Sequence, residues 1–384
     1  MPADVYLDYA ATAPLHPAAA CAVQDGQCLI GNPSSDHEAG RLAADALAEA
    51  RRSIAGLFGV TPAEVVLTSG GSESDALALW GTFAARGFSG HLVTTSIEHS
   101  AVLENARALA DLGVEVTVVD PKSSGHVYPA DVGAALRPDT ALVSVMHANN
   151  ETGAVQPIAQ IAALTRQSGV ALHTDAVHTA GKLDLADLGA TLITVSAHKF
   201  GGPRGIGALA VRDGHGLAPL IRGGPQEGGL RAGTENVAGA MGMAAAAQAC
   251  LQRLTPAYRQ AMRDRRDRMV TGLLGVGGVE INVTDPVVAE TISVRFDGVR
   301  GDTLADYLDM HGIYVSTGSA CHAGSESVSH VLTAQGLTEE SARSSVRFSL
   351  GPGVSDEDLD HVVLVTTQAV RTLRQMAGSV EANR

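Results

Sequence analysis

An α/β fold, a mostly parallel sheet flanked by helices with a second, smaller α+β domain, is what the sequence predicts, and three observations carry that expectation. Over the first two thirds of the 384 residues, short runs rich in Val, Ile and Leu alternate with longer Ala/Leu-rich helical patterns, the order of a parallel sheet whose strands are joined by helical crossovers. From about residue 236 the pattern becomes one long helical stretch reaching roughly 274. Beyond residue 275, strands and helices mix at shorter spacing.

The strand candidates of the first part are residues 65–68, 91–95, 114–118, 141–146, 170–174, 192–195 and 206–211, with helix candidates at 40–58, 72–86, 100–112 and 158–168 between them. Sheets of this kind bind ligands outside the carboxyl ends of their strands. In the long helical stretch, the charged run 263–268 reads as a solvated helix face. The last part offers strands at 280–283, 291–296, 313–315 and 345–348, and helices at 302–310 and 356–374. No internal repeat or low-complexity linker separates the two parts, so they should pack closely and leave a cleft at their boundary.

Composition narrows the function. Hydrophobic residues make up 45%, enough for a large core, and the formal charge is −14 with 13 aromatic residues in all. A basic groove with stacking aromatics for nucleic acid is therefore not expected. The first 40 residues hold no Lys or Arg, and no apolar run reaches membrane-spanning length. A secretory leader, a transit peptide and a membrane span are not expected, and the chain reads as cytoplasmic. The four cysteines, Cys21, Cys28, Cys250 and Cys321, have neither CxxC nor Cys/His metal-ligand spacing, so reduced thiols and no metal site are expected. Glycine, at 43 residues, is in excess and suggests backbone that approaches a ligand closely.

Three segments at strand ends carry chemistry. In Ser196-Ala197-His198-Lys199-Phe200-Gly201-Gly202, a lysine follows an apolar strand and precedes glycine-rich backbone. Partial desolvation there lowers an amine's pKa and makes it a nucleophile able to form a Schiff base, although a surface turn is the commoner fate of lysine. His173-Thr174-Asp175-Ala176-Val177-His178 also ends a strand and puts Asp175 on the same rim. A buried carboxylate there can keep a cofactor's pyridine nitrogen protonated, and an ordinary helix N-cap is an equal alternative. Thr68-Ser69-Gly70-Gly71-Ser72-Glu73-Ser74 joins a strand to a helix with small residues, as an anion site does. A plain capped helix start accounts for its Ser and Glu but not for its paired glycines. Neither GxxxxGK[ST] nor GxGxxG fits these segments, which disfavours nucleoside triphosphate and nicotinamide readings.

Together with Tyr6-Leu7-Asp8-Tyr9-Ala10-Ala11-Thr12, Gly31-Asn32-Pro33-Ser34-Ser35, Glu98-His99, His147-Ala148-Asn149-Asn150-Glu151, Arg231-Ala232-Gly233-Thr234 and Ser345-Val346-Arg347-Phe348, these segments resemble the cysteine desulfurases of the class V aminotransferase superfamily, in family order over nearly the whole chain. The resemblance implies the fold type I of transferases that depend on pyridoxal 5'-phosphate (PLP). It also implies a large PLP-binding domain, residues 16–250, and a small domain, residues 1–15 and 251–384, that carries a cysteine loop. It implies that Lys199 forms a Schiff base with PLP, Asp175 pairs with the pyridinium nitrogen, His99 stacks on the ring and Asn150 lies near the 3-oxygen. Gly71, Ser72, Ser196 and His198 would hold the phosphate, joined by Thr234 of the other subunit of a homodimer. Arg347, assisted by Asn32, would clamp the substrate α-carboxylate. Cys321, in Ser316-Thr317-Gly318-Ser319-Ala320-Cys321-His322-Ala323-Gly324, resembles the mobile-loop cysteine that takes sulfur from L-cysteine as a persulfide, leaving L-alanine. Cys21, Cys28 and Cys250 fit the inert, buried class.

The resemblance further implies sulfur delivery to an acceptor protein, for iron–sulfur cluster assembly or for thiolation. A related β-lyase acting on selenocysteine, cystine or cysteine sulfinate is the alternative within PLP chemistry, and a sulfur-relay partner without turnover is the alternative outside it. The chain departs from the family pattern at four places. His178 stands where Gln is usual beside the 3-oxygen, so a charge varying near neutral pH is expected there. Gln226-Glu227-Gly228-Gly229 lacks a frequent Arg, which is expected to alter the dimer contact near Thr234. Glu326 and Val328 replace the common Leu and Pro after Cys321. The chain also ends soon after the helix at 356–374, where some relatives extend a tail toward a scaffold protein.

Overall fold

The computed structural model describes residues 4–212, 214–317 and 328–382. A short strand, β1 (Val5–Tyr6), pairs in parallel with residues 313–314 near the other end of the chain. Two helices follow, α1 (Pro17–Gln27) and α2 (Glu38–Phe58). The chain then alternates through β2 (Val65–Thr68), α3 (Gly71–Ala84), β3 (His91–Thr95), α4 (Ser100–Asp111), β4 (Glu115–Val119), α5 (Pro129–Ala135), β5 (Thr140–Ser144), α6 (Ile158–Gln167), β6 (Ala171–Asp175), β7 (Leu192–Ser196) and β8 (Gly207–Val211). The seven strands β2 to β8 form one sheet in the order β2-β8-β7-β6-β5-β3-β4. Only β8 runs antiparallel to its neighbours.

Helices cover both faces of this sheet, so its strands read as continuous apolar runs instead of alternating ones. The period of two survives in which core each residue enters. Val93, Val143, Ile193 and Ala208 face one core, with Ile54, Phe58 and Met243. Leu92, Leu142, Leu192 and Leu209 face the other, with Leu77, Phe83 and Leu109. Only the edge strand β4 is substantially exposed.

The expected single stretch from 236 to 274 is two helices, α7 (Val237–Arg253) and α8 (Pro256–Leu274). Pro256 has no N–H to continue α7 and sits at the start of α8, where Thr255 Oγ1 accepts from the Tyr258 amide at 3.2 Å. Helix α1, unanticipated by periodicity, packs along α7. At Gly26 a Cβ would lie 2.6 Å from Ala238 Cα, so glycine is what allows that approach.

The remaining elements are β9 (Val279–Ile281), β10 (Thr291–Phe296), α9 (Gly301–Asp309), β11 (Ile313–Tyr314), α10 (His330–Ala334), α11 (Glu339–Arg343), β12 (Ser345–Ser349) and α12 (Asp356–Ala382). Strands β12, β10 and β9 form an antiparallel sheet, and β11 is the partner of β1. A third core of Leu7, Met269, Phe296, Leu304, Phe348 and Leu359 lies here. Residues from both ends of the chain build it. The charged run of α8 meets α12, with Arg265 3.0 Å from Asp356 and Arg268 2.8 Å from Asp360. Helix α12 runs further than residue 374, to Ala382.

Candidate active site

A cavity of about 310 Å³ opens at the carboxyl ends of the parallel strands. Ten of the thirteen residues singled out from the sequence line it: Gly71, Ser72, His99, Asn150, Asp175, His178, Ser196, His198, Lys199 and Arg347. Thr234 and Asn32 are exposed and stand outside the cavity lining. Asn32 Oδ1 instead accepts from the Ser34 amide at 2.9 Å. Cys321 lies outside the described residues.

Lys199 closes a short turn, Ala197–Lys199, that follows β7. Its Nζ donates to the Ala10 carbonyl at 2.6 Å. The segment before α1 is laced to this turn, since the Ala13 amide donates to the His198 carbonyl and the His16 amide to that of Gly201, both at 2.8 Å. His198 Nδ1 is 3.2 Å from Thr12 Oγ1. Burial, reinforced by Lys199 and Arg204, pushes the His198 imidazole down to about 4, so it is neutral at physiological pH.

Asp175 ends β6, and no helix begins after it for it to cap. Its Oδ1 accepts from the Val177 amide at 2.8 Å, which closes the turn after the strand, and the residue lines the cavity. Burial, then the nearby Asp75, raises its carboxyl to about 7, with His99 and the Val177 amide opposing. Such a carboxyl has a strong demand for a cationic partner. Asp75 was not anticipated from the sequence. It lies four residues after Gly71 on α3, hence on the same helix face, and that spacing was the available signal. Burial raises it too to about 7, and its Oδ1 stands 3.5 Å from His173 Nε2.

The opposite end of the cavity suits an anion. The 14-residue α3 begins at Gly71, so its first N–H groups have no intrahelical partner. A Cβ at Gly71 would lie 2.8 Å from Val177 Cγ2, which leaves room for glycine alone. Glu73 fixes this turn by accepting from the Ser69 amide at 2.7 Å and from Arg231 Nε at 3.0 Å.

His99 caps α4, its Nδ1 accepting from the Ala101 amide at 3.1 Å. Behind it, Glu98 is completely buried, and burial raises its carboxyl to about 8. Glu98 Oε1 accepts from Thr95 at 2.6 Å and from the Met146 amide at 2.9 Å. Arg347, on β12, donates through Nη1 to the Asn150 carbonyl at 2.8 Å and through Nη2 to Asp8 at 2.7 Å, and its Nε is buried without a partner.

Two expectations change. His178 does not vary in charge near neutral pH: burial, aided by Lys182, Arg347 and Lys199, drives its pKa well below the usual value. Cys21 and Cys28 are exposed in the chain, and of the cysteines expected to be buried only Cys250 is. Glu227 pairs with Arg51 at 2.6 Å and accepts from the Leu67 amide at 2.8 Å. Among the described residues no cluster of His, Cys, Asp and Glu could hold a metal ion, and no helix is long and apolar enough to cross a membrane.

The residues fit PLP: an N–H-rich helix start for a phosphate, a desolvated carboxyl for a ring nitrogen and an amine line one cavity. The model of the class V aminotransferases matches residues 5–362. The chain is 40% identical to a cysteine desulfurase IscS of Dictyoglomus turgidum over 98% of this chain and 97% of that one. It is 43% identical to an IscS-like cysteine desulfurase of Mycobacterium tuberculosis, covering 97% and 98%. Among solved structures, a NifS-like protein superposes with a TM-score of 0.90 at 33% identity, covering 96% of this chain and 100% of the other. SspA in complex with cysteine superposes with a TM-score of 0.81 at 36% identity, covering 91% and 99%.

Proposed function

The chain belongs to the class V aminotransferase family, and from that premise we propose that it is a PLP-dependent cysteine desulfurase. It would convert L-cysteine to L-alanine, with sulfur held as a persulfide on Cys321. The observation that carries the reading is the convergence of Lys199, Asp175, His99 and Arg347 on one cavity. The named activity of the relatives and the cysteine bound to SspA support the substrate.

When bound, PLP supplies a carbonyl for the substrate amine and a ring that spreads the charge left at the α-carbon. Gly71, Ser72, Ser196 and His198 would hold its phosphate, Asp175 the proton on its ring nitrogen, His99 its face, and Asn150 and His178 its 3-oxygen. Lys199 would hold the cofactor, and its Nζ amine would move the α-proton of the substrate. The remaining N–H groups of Arg347 take the α-carboxylate. The Cys321 thiolate then attacks the substrate sulfur. The new S–S bond forms as the C–S bond breaks, its electron pair staying on carbon, which is protonated and leaves as alanine.

The same reading assigns residues 16–250 to a large domain and residues 1–15 with 251–384 to a small one, supported by the separate third core. It includes a homodimer in which Thr234, exposed in the chain, completes the partner's phosphate site. It also includes a sulfur-acceptor protein and a cytoplasmic setting, where the unpaired cysteines would persist as thiols. The test is a sulfide and alanine assay with L-cysteine. Wild type should release both, and Lys199→Ala should release neither. Equal turnover by Lys199→Ala would refute the reading.

A further inference from the structure

We infer that Asn149 is a positioning residue: its buried side-chain amide shapes the turn that holds Arg347, and through Arg347 it sets the affinity of the cavity for a substrate carboxylate. The carboxylate task of Arg347 rests on the function proposed above, whereas the hold of Asn149 on the turn does not. Asn149 is fully buried and does not line the cavity, although its neighbours Ala148 and Asn150 both do.

Both polar atoms of this amide are committed. Its Oδ1 accepts from the Glu151 amide at 2.9 Å, the Thr152 amide at 3.0 Å and the Thr152 hydroxyl at 3.2 Å. Its Nδ2 donates to the Ile97 carbonyl at 2.9 Å and faces Met146 Sδ at 3.5 Å. Three donors around one atom and a carbonyl against the other allow the amide a single orientation. The main chain of Asn149 closes the same turn, its N–H donating to the Ala154 carbonyl at 3.0 Å and its carbonyl accepting from the Gly153 amide at 2.9 Å.

The turn so fixed meets both parts of the molecule. The Asn150 carbonyl accepts from Arg347 Nη1 at 2.8 Å while Asp8 takes Nη2, so the guanidinium of β12 is held at both tips of its fork. Glu151 Oε2 accepts from Ser329 Oγ, just ahead of α10. Ile97 precedes Glu98 and His99, and Glu98 Oε1 accepts from the Met146 amide, so the connections after β3 and β5 are tied twice. Removing the Asn149 amide takes a partner from each of the Glu151, Thr152 and Ile97 main-chain groups at a buried place, and the turn must rearrange to recover them. The Asn150 carbonyl lies within that turn and moves with it.

Asn149→Asp keeps the size and one accepting oxygen but sets a second oxygen against the Ile97 carbonyl. Ionised, that oxygen is repelled; protonated, it donates as the amide does. Burial raises a carboxyl's pKa. In the PLP-loaded enzyme, Asn149→Asp should therefore raise KM for L-cysteine about 10-fold at pH ~8.5, with a smaller change in kcat, and the excess over wild type should vanish toward pH ~6. Glu98, Glu151, His147 and Arg347 surround the turn in wild type and variant alike, so the ratio of the two KM values isolates the new carboxyl. A ratio that does not change with pH, or a loss confined to kcat, overturns the link to carboxylate binding. A purified protein that takes up no PLP or does not turn over L-cysteine refutes the proposed function instead, and the hold on the turn has its own test. In a crystal structure of cofactor-free Asn149→Ala, Arg347 Nη1 should have left the Asn150 carbonyl, and a contact retained at 2.8 Å overturns the proposal. If Asn149→Ala does not fold, cofactor-free crystals of Asn149→Asp at the same two pH values decide it: the contact should be lost at the higher and kept at the lower, and a contact kept at both overturns the proposal.

Discussion

Arg347 Nη2 lies 2.7 Å from Asp8 Oδ1, a contact between residues 339 positions apart in the chain. The ion pair aims a buried guanidinium into the cavity and holds it against rotation. A charge-assisted hydrogen bond contributes about 1.5–3 kcal/mol. Asp8→Asn should therefore raise KM for L-cysteine by roughly 10-fold or more, with a smaller change in kcat. Arg347→Lys loses the planar fork and should cost more in kcat/KM than Asp8→Asn. Steady-state kinetics of the two variants checks this order.

Gly71 marks the anion end of the cavity. A methyl group there meets Val177 Cγ2 at 2.8 Å, so the first turn of α3 must shift to admit it. Overpacking of this kind costs about 1–3 kcal/mol. Gly71→Ala should lose PLP measurably faster on dialysis than wild type while keeping its far-ultraviolet dichroism.

Glu227 and Arg51 form an ion pair in which the Glu227 side chain is 2% exposed and that of Arg51 19%. Removing one partner of a buried pair costs about 3–5 kcal/mol, reduced toward the lower end because Arg51 reaches solvent. Glu227→Gln should lower the midpoint of urea unfolding accordingly, with an unchanged slope.

Buried groups give the cofactor-free protein a defined pH response. Burial raises Glu98 to about 8 and Asp75, Asp175 and Glu151 to about 7. Their contribution to stability is full below the unfolded pKa near ~4 and is lost as pH rises through 7 to 8. Burial lowers His147, His173 and His198 to about 4, so their contribution is full above ~6.5 and is lost only as pH falls. Lys182, lowered by burial to about 8, acts mainly above this range. From pH ~6.5 to ~8 the carboxyl contribution dominates, and Tm of the cofactor-free protein should fall. Glu98→Gln should flatten that fall, and a Tm that rises over the interval would count against these burials.

The large sheet is legible in the sequence because strands such as β5 and β7, buried on both faces, leave uninterrupted apolar runs. Its site residues are legible for a related reason: Asp175, Ser196 and Lys199 fall just where such runs stop. Helix α1 is not, since its packing on α7 depends on Gly26 and on small residues that carry no amphipathic stripe. The break before α8 was readable in Thr255-Pro256, yet the helical periodicity on either side conceals it. Pairs such as Arg347 with Asp8 and His178 with Thr291 depend on tertiary closure and leave no local signature. Asp75 is intermediate, hidden in an apolar helix but in phase with Gly71.

The most direct measurement is a single turnover with L-cysteine, in which alanine is quantified and the protein is examined by peptide mass spectrometry. Wild type should yield alanine together with one added sulfur atom on the peptide bearing Cys321, and Cys321→Ser should yield neither beyond a small residue. Alanine and sulfide formed by Cys321→Ser at the wild-type rate would contradict the account.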